Sequence, residues 1–388
     1  MLNFKHHIPT IIYFGKGQVC ALEEELKNRA KKLLIVTGQG SVKRCGIFDD
    51  VIKEVKKAGV AFVELSGIQP NPRLKSVYKG IEICKEESVD FILAVGGGSV
   101  IDASKAIAAG VNYDGDVWDF FENDISPAEA LPVATVLTLA ATGSEMNGNA
   151  VITREDTQRK LALCSPLIRP VFSILDAEYT YTVNRYHTAA GVADIMVHIF
   201  EQYFSHTPSA YVQDRVAEAL LKVCIHYGPI VCEKPRNYDA RANILWAGSM
   251  ALNDLIGEGK FTDWASHGIE HELSAIYDIS HGAGLAIITP VWMRYVLSEK
   301  TVKKFTEYGI NVWGIDKNKK DMALANEAID KTREFFNLLG LPSSLSEVNI
   351  SNEKFQDMAR NAVKSHGQIG SFKQLSESDI IHILSVGR

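Results

Sequence analysis

The stretch that most restricts the fold is Phe91-Ile-Leu-Ala-Val-Gly-Gly-Gly-Ser-Val-Ile-Asp102. Its apolar opening, bounded by turn residues, reads as a buried strand. The strand runs into three glycines and then into a helical pattern opening near Ser99. Glycines let a backbone approach a ligand closely, and a helix start offers free N–H groups and the positive end of the helix dipole. Gly97, Gly98 and Ser99 therefore form either a cradle for a pyrophosphate, with the Ser99 hydroxyl as a further donor, or a tight turn without a ligand. The segment is not the Gly-x-Gly-x-x-Gly fingerprint of ordinary dinucleotide folds.

Similar units surround it. Thr10–Phe14, Lys32–Thr37, Val60–Leu65 and Leu131–Thr138 read as strands, and Val42–Lys57 and Arg73–Glu87 as helices. In the second helix Leu74, Val77, Tyr78, Ile81 and Cys84 share one face. Repeated β-α-β units imply a parallel sheet with helices on both faces, which binds ligands where the strand order reverses. Near residue 180 the pattern changes to long helical stretches: Ala189–Phe204, Ala210–Tyr227, Asp239–Leu252 and Asp263–Tyr277. The expected architecture is a Rossmann-like α/β dinucleotide-binding domain over residues 1–182 and an all-helical, metal-binding domain over 183–388.

Two more loops follow strands. Gly38-Gln39-Gly40-Ser41 carries no acid to hold a ribose 2′-hydroxyl, and Lys43 and Arg44 stand nearby. That combination admits the 2′-phosphate of NADPH, while Gln39 can still bond a 2′-hydroxyl of NADH. The two basic residues also fit plain solvated charge. Thr138 to Glu145, rich in small and hydroxyl residues, suits a ligand-facing loop or an ordinary one.

Composition removes several function classes. The 388 residues are 46% hydrophobic and 23% charged with a net charge of −6, so disorder is disfavoured, and no basic stripe invites nucleic acid. Met1 to Pro9 holds no apolar leader core, and no apolar run reaches the roughly 18–20 residues that span a bilayer. A cytoplasmic protein without a membrane partner is expected. The six cysteines form no Cys-x-x-Cys pair and read as reduced, mostly buried hydrophobes.

The helical half carries the metal-type residues. Asp194 and His198 lie four apart, and His267 and His271 repeat that spacing, so each pair shares a helix face. His281 follows in a His-Gly-Ala-Gly context. A carboxylate with three imidazoles suits Fe²⁺, Zn²⁺, Co²⁺ or Mn²⁺. The competing interpretation is a set of unrelated surface or core histidines. His271-Glu272 opens no His-Glu-x-x-His motif, because the residue four after His271 is Ala275.

Taken together, these motifs resemble the iron-containing (group III) alcohol dehydrogenases, nearest to their butanol dehydrogenase branch. The match rests on Gly96-Gly97-Gly98-Ser99-x-x-Asp102, Ala141-Thr142-Gly143-Ser144-Glu145, Gly191-x-x-Asp194-x-x-x-His198 and His267-x-x-x-His271-Glu-Leu…His281-Gly. Asn71-Pro72 after Gln69-Pro70 and Tyr179-Thr-Tyr-Thr also fit, and the likeness covers nearly the whole chain. The resemblance implies a cleft site, metal ligation by Asp194, His198, His267 and His281, and a proton-relaying or orienting His271. It implies cofactor contacts from Gly38, Gln39, Ser41, Asn71, Gly97, Gly98, Ser99, Asp102, Thr138, Leu139, Thr142, Asn147, Lys160 and Tyr179. The cofactor is NAD(P)H, with NADPH favoured by the residue 38–44 loop, and the metal Fe²⁺ or Zn²⁺. The substrate is a short primary aldehyde or alcohol, with Phe261 and Trp264 as candidate walls of an apolar pocket, and the enzyme a homodimer.

Rival readings share the architecture. A glycerol dehydrogenase fits it, as does a dehydroquinate-synthase-like lyase, which needs Lys/Arg residues for an anionic substrate that the 194–281 stretch does not visibly supply. A metal hydrolase without nicotinamide and a non-catalytic nucleotide sensor are further rivals.

Overall fold

The structure, a computed structural model, describes residues 1–123, 125–364 and 367–388. The first half runs β1 (Ile11–Phe14), α1 (Ala21–Lys27), β2 (Lys32–Gly38), α2 (Ser41–Arg44), α3 (Ile47–Ala58), β3 (Ala61–Ile68), α4 (Leu74–Glu86), β4 (Phe91–Gly96), α5 (Gly98–Gly110), α6 (Asp119–Glu122), β5 (Val133–Leu137), β6 (Asn149–Arg154), β7 (Arg159–Cys164) and β8 (Phe172–Leu175). Six strands form a parallel sheet in the order β1-β8-β5-β4-β2-β3.

Side chains alternate across a strand, and here both faces are covered. Leu34, Val36, Ile92 and Ala94 join Leu74, Val77, Ile101 and Ala106 of α4 and α5 on one side. Leu33, Ile35, Phe91, Leu93 and Val95 join Leu22, Leu26, Val51 and Val55 of α1 and α3 on the other. Burial on both faces explains why these strands read as unbroken apolar runs. The strand order reverses between β2 and β4, which pair in parallel from Leu33↔Phe91 to Thr37↔Val95. The Gly38–Ser41 and Gly96–Ser99 loops thus leave neighbouring strand ends at the switch point, where doubly wound sheets bind ligands.

Several local expectations need correction. The Val42–Lys57 pattern is two helices, because Gly46 at φ 84° breaks it before Ile47. Tyr78 of α4 is exposed rather than core, its hydroxyl donating to Asp116 Oδ1 at 2.8 Å. The antiparallel hairpin β6–β7 and the four-residue β8 lie outside the expected strands. Cys84, Cys224 and Cys232 are buried, but Cys20 and Cys164 are exposed and Cys45 lies between.

The second half is helical: α7 (Arg185–Tyr203), α8 (Tyr211–Glu233), α9 (Tyr238–Ala251), α10 (Ala265–Tyr277), α11 (His281–Val296), α12 (Val302–Asn311), α13 (Asp321–Leu338), α14 (Phe355–Val363) and α15 (Glu377–Val386). Asn184 starts α7 by accepting the His187 N–H at 2.9 Å on its side-chain oxygen, the local signal of an N-cap. From Thr188 onward α7 is buried on every side, as a central helix must be. Among the described residues no helix is long and apolar enough to cross a membrane.

Two compact units emerge: His7–Val183 with Pro235–Ser249, and Met1–His6 with Asn184–Lys234 and Met250–Arg388. A single cut after residue 182 misses this exchange. The first residues belong with the helices, where the Leu2 N–H donates to Gly259 O at 2.8 Å. Most of α9 belongs with the sheet, where Leu245 is buried in its core with Tyr238 and Ala242 alongside.

Candidate functional site

Three helices of the helical unit bring the metal-type residues together. α7 places Asp194 and His198 one turn apart, α10 supplies His267, and α11 opens on His281. Asp194 Oδ1 lies 3.5 Å from His198 Nδ1, 3.8 Å from His267 Nε2 and 3.7 Å from His281 Nε2. The ligand atoms of Asp194, His267 and His281 all fall within 4.8 Å of one another. His198 stands at the edge of this triple, its ring stacked on His267 with centroids 4.7 Å apart. The close approach of α11 depends on Gly282, where a Cβ would lie 2.0 Å from the Ala190 carbonyl oxygen of α7.

The donor set fits a divalent cation. Asp194 Oδ1, His198 Nδ1 and His267 Nε2 are buried without a hydrogen-bond partner. Burying polar atoms in that state costs about 1–3 kcal/mol each, and a cation drawing on their lone pairs offsets it. Burial alone would raise the Asp194 carboxyl, but His198, His281 and His267 outweigh it and hold it below the usual carboxylate range. Burial pushes His198 down to about 3 despite Asp194, leaving a neutral imidazole with a free lone pair. Burial would also lower His267, but Asp194 and Glu201 reverse this and raise it to about 9, so a cation that binds at Nε2 takes the place of a proton there. Nitrogen-rich donors of this kind suit Fe²⁺ or Zn²⁺ better than Mg²⁺ or Ca²⁺.

His271, half-buried, sits beside the triple, with ring centroids 5.5 Å from His281 and 6.3 Å from His267. With Glu270 and His281 it forms a second group of potential ligand atoms within 4.8 Å. Trp264 stands close, its ring 5.3 Å from His267 and 6.3 Å from His198. Phe261 is 62% exposed, which removes it as a pocket wall.

In the sheet unit, Gly97 and Ser99 are partly exposed where β4 passes into α5, and Gly98 is buried. Gly98 has no room for a side chain: a Cβ there would meet Thr142 Oγ1 at 2.4 Å. The Thr138 N–H donates to Gly96 O at 3.0 Å, and Leu139 lies against Gly97, 3.2 Å from where a Cβ would be. The pyrophosphate-type loop and the Thr138–Thr142 loop are therefore in direct contact. Lys160 Nζ donates to Asn71 Oδ1 at 3.0 Å, both buried. The Tyr179 hydroxyl donates to Asp50 Oδ2 at 3.2 Å. Gln39 and Ser41 are exposed. Lys43 Nζ pairs with Glu64 Oε1 at 2.5 Å, and Arg44 Nη1 donates to the Gln39 carbonyl at 3.4 Å.

Asp102 and Asn147 instead turn into the scaffold. Asp102 accepts the Ser144 hydroxyl at 2.6 Å and the Val151 N–H at 3.0 Å. Asn147 donates to Thr142 O at 3.2 Å and accepts from Lys105 Nζ and the Asn149 N–H. Lys105, which belongs to none of the sequence motifs, is fully buried, and its Nζ donates to Ser144 Oγ, Asn147 O, Asn147 Oδ1 and Asn149 O at 2.8–3.1 Å. Its place three residues after Asp102 on one helix was the available signal. Burial pushes the Lys105 ammonium down to about 8, against the opposing pull of Asp102 and Glu145.

Residues 9–177 match the family described as iron-containing alcohol dehydrogenase, and residues 188–386 match the C-terminal part of the Fe-containing alcohol dehydrogenase family. The chain belongs to the iron-containing alcohol dehydrogenase family. Among its relatives, NADH-dependent butanol dehydrogenases A and B of Clostridium acetobutylicum are 53% and 52% identical, each aligned over 99% of both chains. The crystal structure of NADH-dependent butanol dehydrogenase A from Thermotoga maritima superposes with a TM-score of 0.96 at 38% identity, covering 100% of this chain and 99% of that one. The family's α/β-then-helical architecture is the one described above.

Proposed function

We propose that this member of the family interconverts short primary aldehydes and alcohols, of the butanal/butanol type, with NADH as the reductant. The observation that carries this reading is the convergence of Asp194, His267 and His281 ligand atoms within 4.8 Å, two of them buried without a hydrogen-bond partner. A divalent metal, Fe²⁺ or Zn²⁺, supplies Lewis acidity to the substrate oxygen when bound, and the nicotinamide supplies or accepts the hydride. Asp194, His198, His267 and His281 hold the cation.

Gly97, Gly98 and Ser99 bind the pyrophosphate with first-turn N–H groups that have no intrahelical acceptor. Gly38, Gln39 and Ser41 flank the adenosine half. Thr138, Leu139, Thr142, Asn71, Lys160 and Tyr179 line the remainder, and Asp102 and Asn147 act from beneath. His271 passes the substrate proton to water from its half-buried position. Trp264 excludes water beside His267. Lys43 is already paired with Glu64, which favours NADH over a 2′-phosphorylated cofactor, as do the names of the Clostridium relatives. The family resemblance supports a cytoplasmic homodimer.

A series of linear aldehydes, assayed with NADH and with NADPH on protein reconstituted with Fe²⁺ or Zn²⁺, tests the reading. Turnover should peak near butanal and favour NADH; no turnover with either metal would overturn it. His267→Ala should lose metal and turnover yet bind NADH, as followed by nicotinamide fluorescence. His271→Ala should keep its metal but turn over more slowly, and an unchanged kcat between about pH 6 and 9 would remove the relay role.

A further inference from the structure

Two buried glutamates stand behind the imidazoles. Glu201, on α7, lies seven residues after Asp194 and so shares its helix face. Its Oε1 accepts from His267 Nδ1 at 3.1 Å and from the His267 N–H at 2.9 Å, and its Oε2 accepts the Trp264 N–H at 2.9 Å. Glu270, on α10, accepts from His281 Nδ1 and from the Ser274 hydroxyl. Glu201 and Glu270 are 1% and 0% exposed. Gly284 of α11 leaves room for Glu270, since a Cβ there would meet Glu270 Cγ at 2.8 Å. The pattern is a relay: α7 orients the imidazole of α10, and α10 orients the imidazole of α11.

We propose that Glu201 and Glu270 are positioning residues of the metal centre, holding the Nδ1–H of His267 and His281 so that each ring presents its Nε2 lone pair beside Asp194. Both Nε2 atoms lie within 3.8 Å of Asp194 Oδ1, on the ring edge opposite the glutamates. A carboxylate on the far nitrogen fixes the tautomer, locks the ring plane and makes the ligating nitrogen more basic. The role rests on the reading of Asp194, His267 and His281 as ligands. It differs from packing: Glu201 also caps the start of α10 through the Trp264 and His267 N–H groups, so a loss of stability alone would not establish it.

The test measures Zn²⁺ and Co²⁺ affinity of the full-length chain by chelator competition, together with the visible ligand-field bands of bound Co²⁺, without any turnover assay. Glu201→Gln and Glu270→Gln should each weaken metal binding by about 10–100-fold and shift the Co²⁺ bands. The Ala variants should be weaker still; where an Ala variant does not fold, its Gln counterpart decides. Metal affinity within about twofold of the parent in both Gln variants, far short of that range and whatever their melting temperatures, would overturn the proposal and leave the ligand assignment standing. A parent chain that binds neither ion would overturn both.

Discussion

Lys105 shows what a single side chain contributes. Replacing it with methionine leaves Ser144 Oγ, Asn147 O and Asn149 O without their buried donor, at a cost of about 3 kcal/mol or more, the range for removing one partner of a buried ionic network. Lys105→Met should lower the melting temperature and raise KM for the nicotinamide cofactor, because the segment it anchors carries Thr142. Its pH dependence has a definite sign. The folded pKa of about 8 lies below the unfolded 10.5, so between those values the unfolded chain holds the proton and the folded chain does not. Stability contributed by this group therefore rises with pH across that window. Denaturant titrations of parent and variant at about pH 7.5 and pH 10 should show the parent's advantage widening toward alkaline pH; a constant gap would contradict the buried-cation assignment.

Elements matter through how closely they approach. With Gly282 pressed on the Ala190 carbonyl, Gly282→Ala pushes the start of α11 away from α7, a strain of about 1–3 kcal/mol. The expected outcome is a chain that still folds but holds less metal, checked by elemental analysis after dialysis, since His281 is the neighbouring residue. Elements with strong periodicity were legible in the sequence: β2, β4, α4 and α7 lie within a few residues of their expected bounds. The β6–β7 hairpin was not, because Arg154, Arg159 and Lys160 interrupt its apolar pattern. Nor was β8, whose four residues are too few to show a period. Asp194 with His198, and His267 with His271, stood out by their one-turn spacing, and His281 by its His-Gly-Ala-Gly context. Glu201, Glu270 and Lys105 did not, because a lone charge in a helix resembles a solvated one until burial is known. Asp102 was legible as a motif residue, but the inward turn of its side chain toward Ser144 and Val151 was not.

At the scale of the whole molecule, the path of the chain is the part no local pattern announced. The sheet unit is completed by Pro235–Ser249. Leu245 enters its core, Trp246 meets Phe14 edge-on at 5.8 Å, and Ser249 donates to Glu145. A fragment of residues 7–183 should therefore expose the apolar surface that Leu245 covers, about 1.5–3 kcal/mol for that side chain alone. Expressed alone it should bind a hydrophobic dye, and adding back a peptide of residues 235–249 should suppress the signal; a fragment silent toward the dye from the outset would argue against the division. The same threading sets an order of events during synthesis. The last strand of the sheet ends at Leu175 and α9 starts only at Tyr238, so the nascent chain must carry an unfinished half past the exit tunnel, exposed to chaperones and to sticking neighbours, until translation supplies the missing piece.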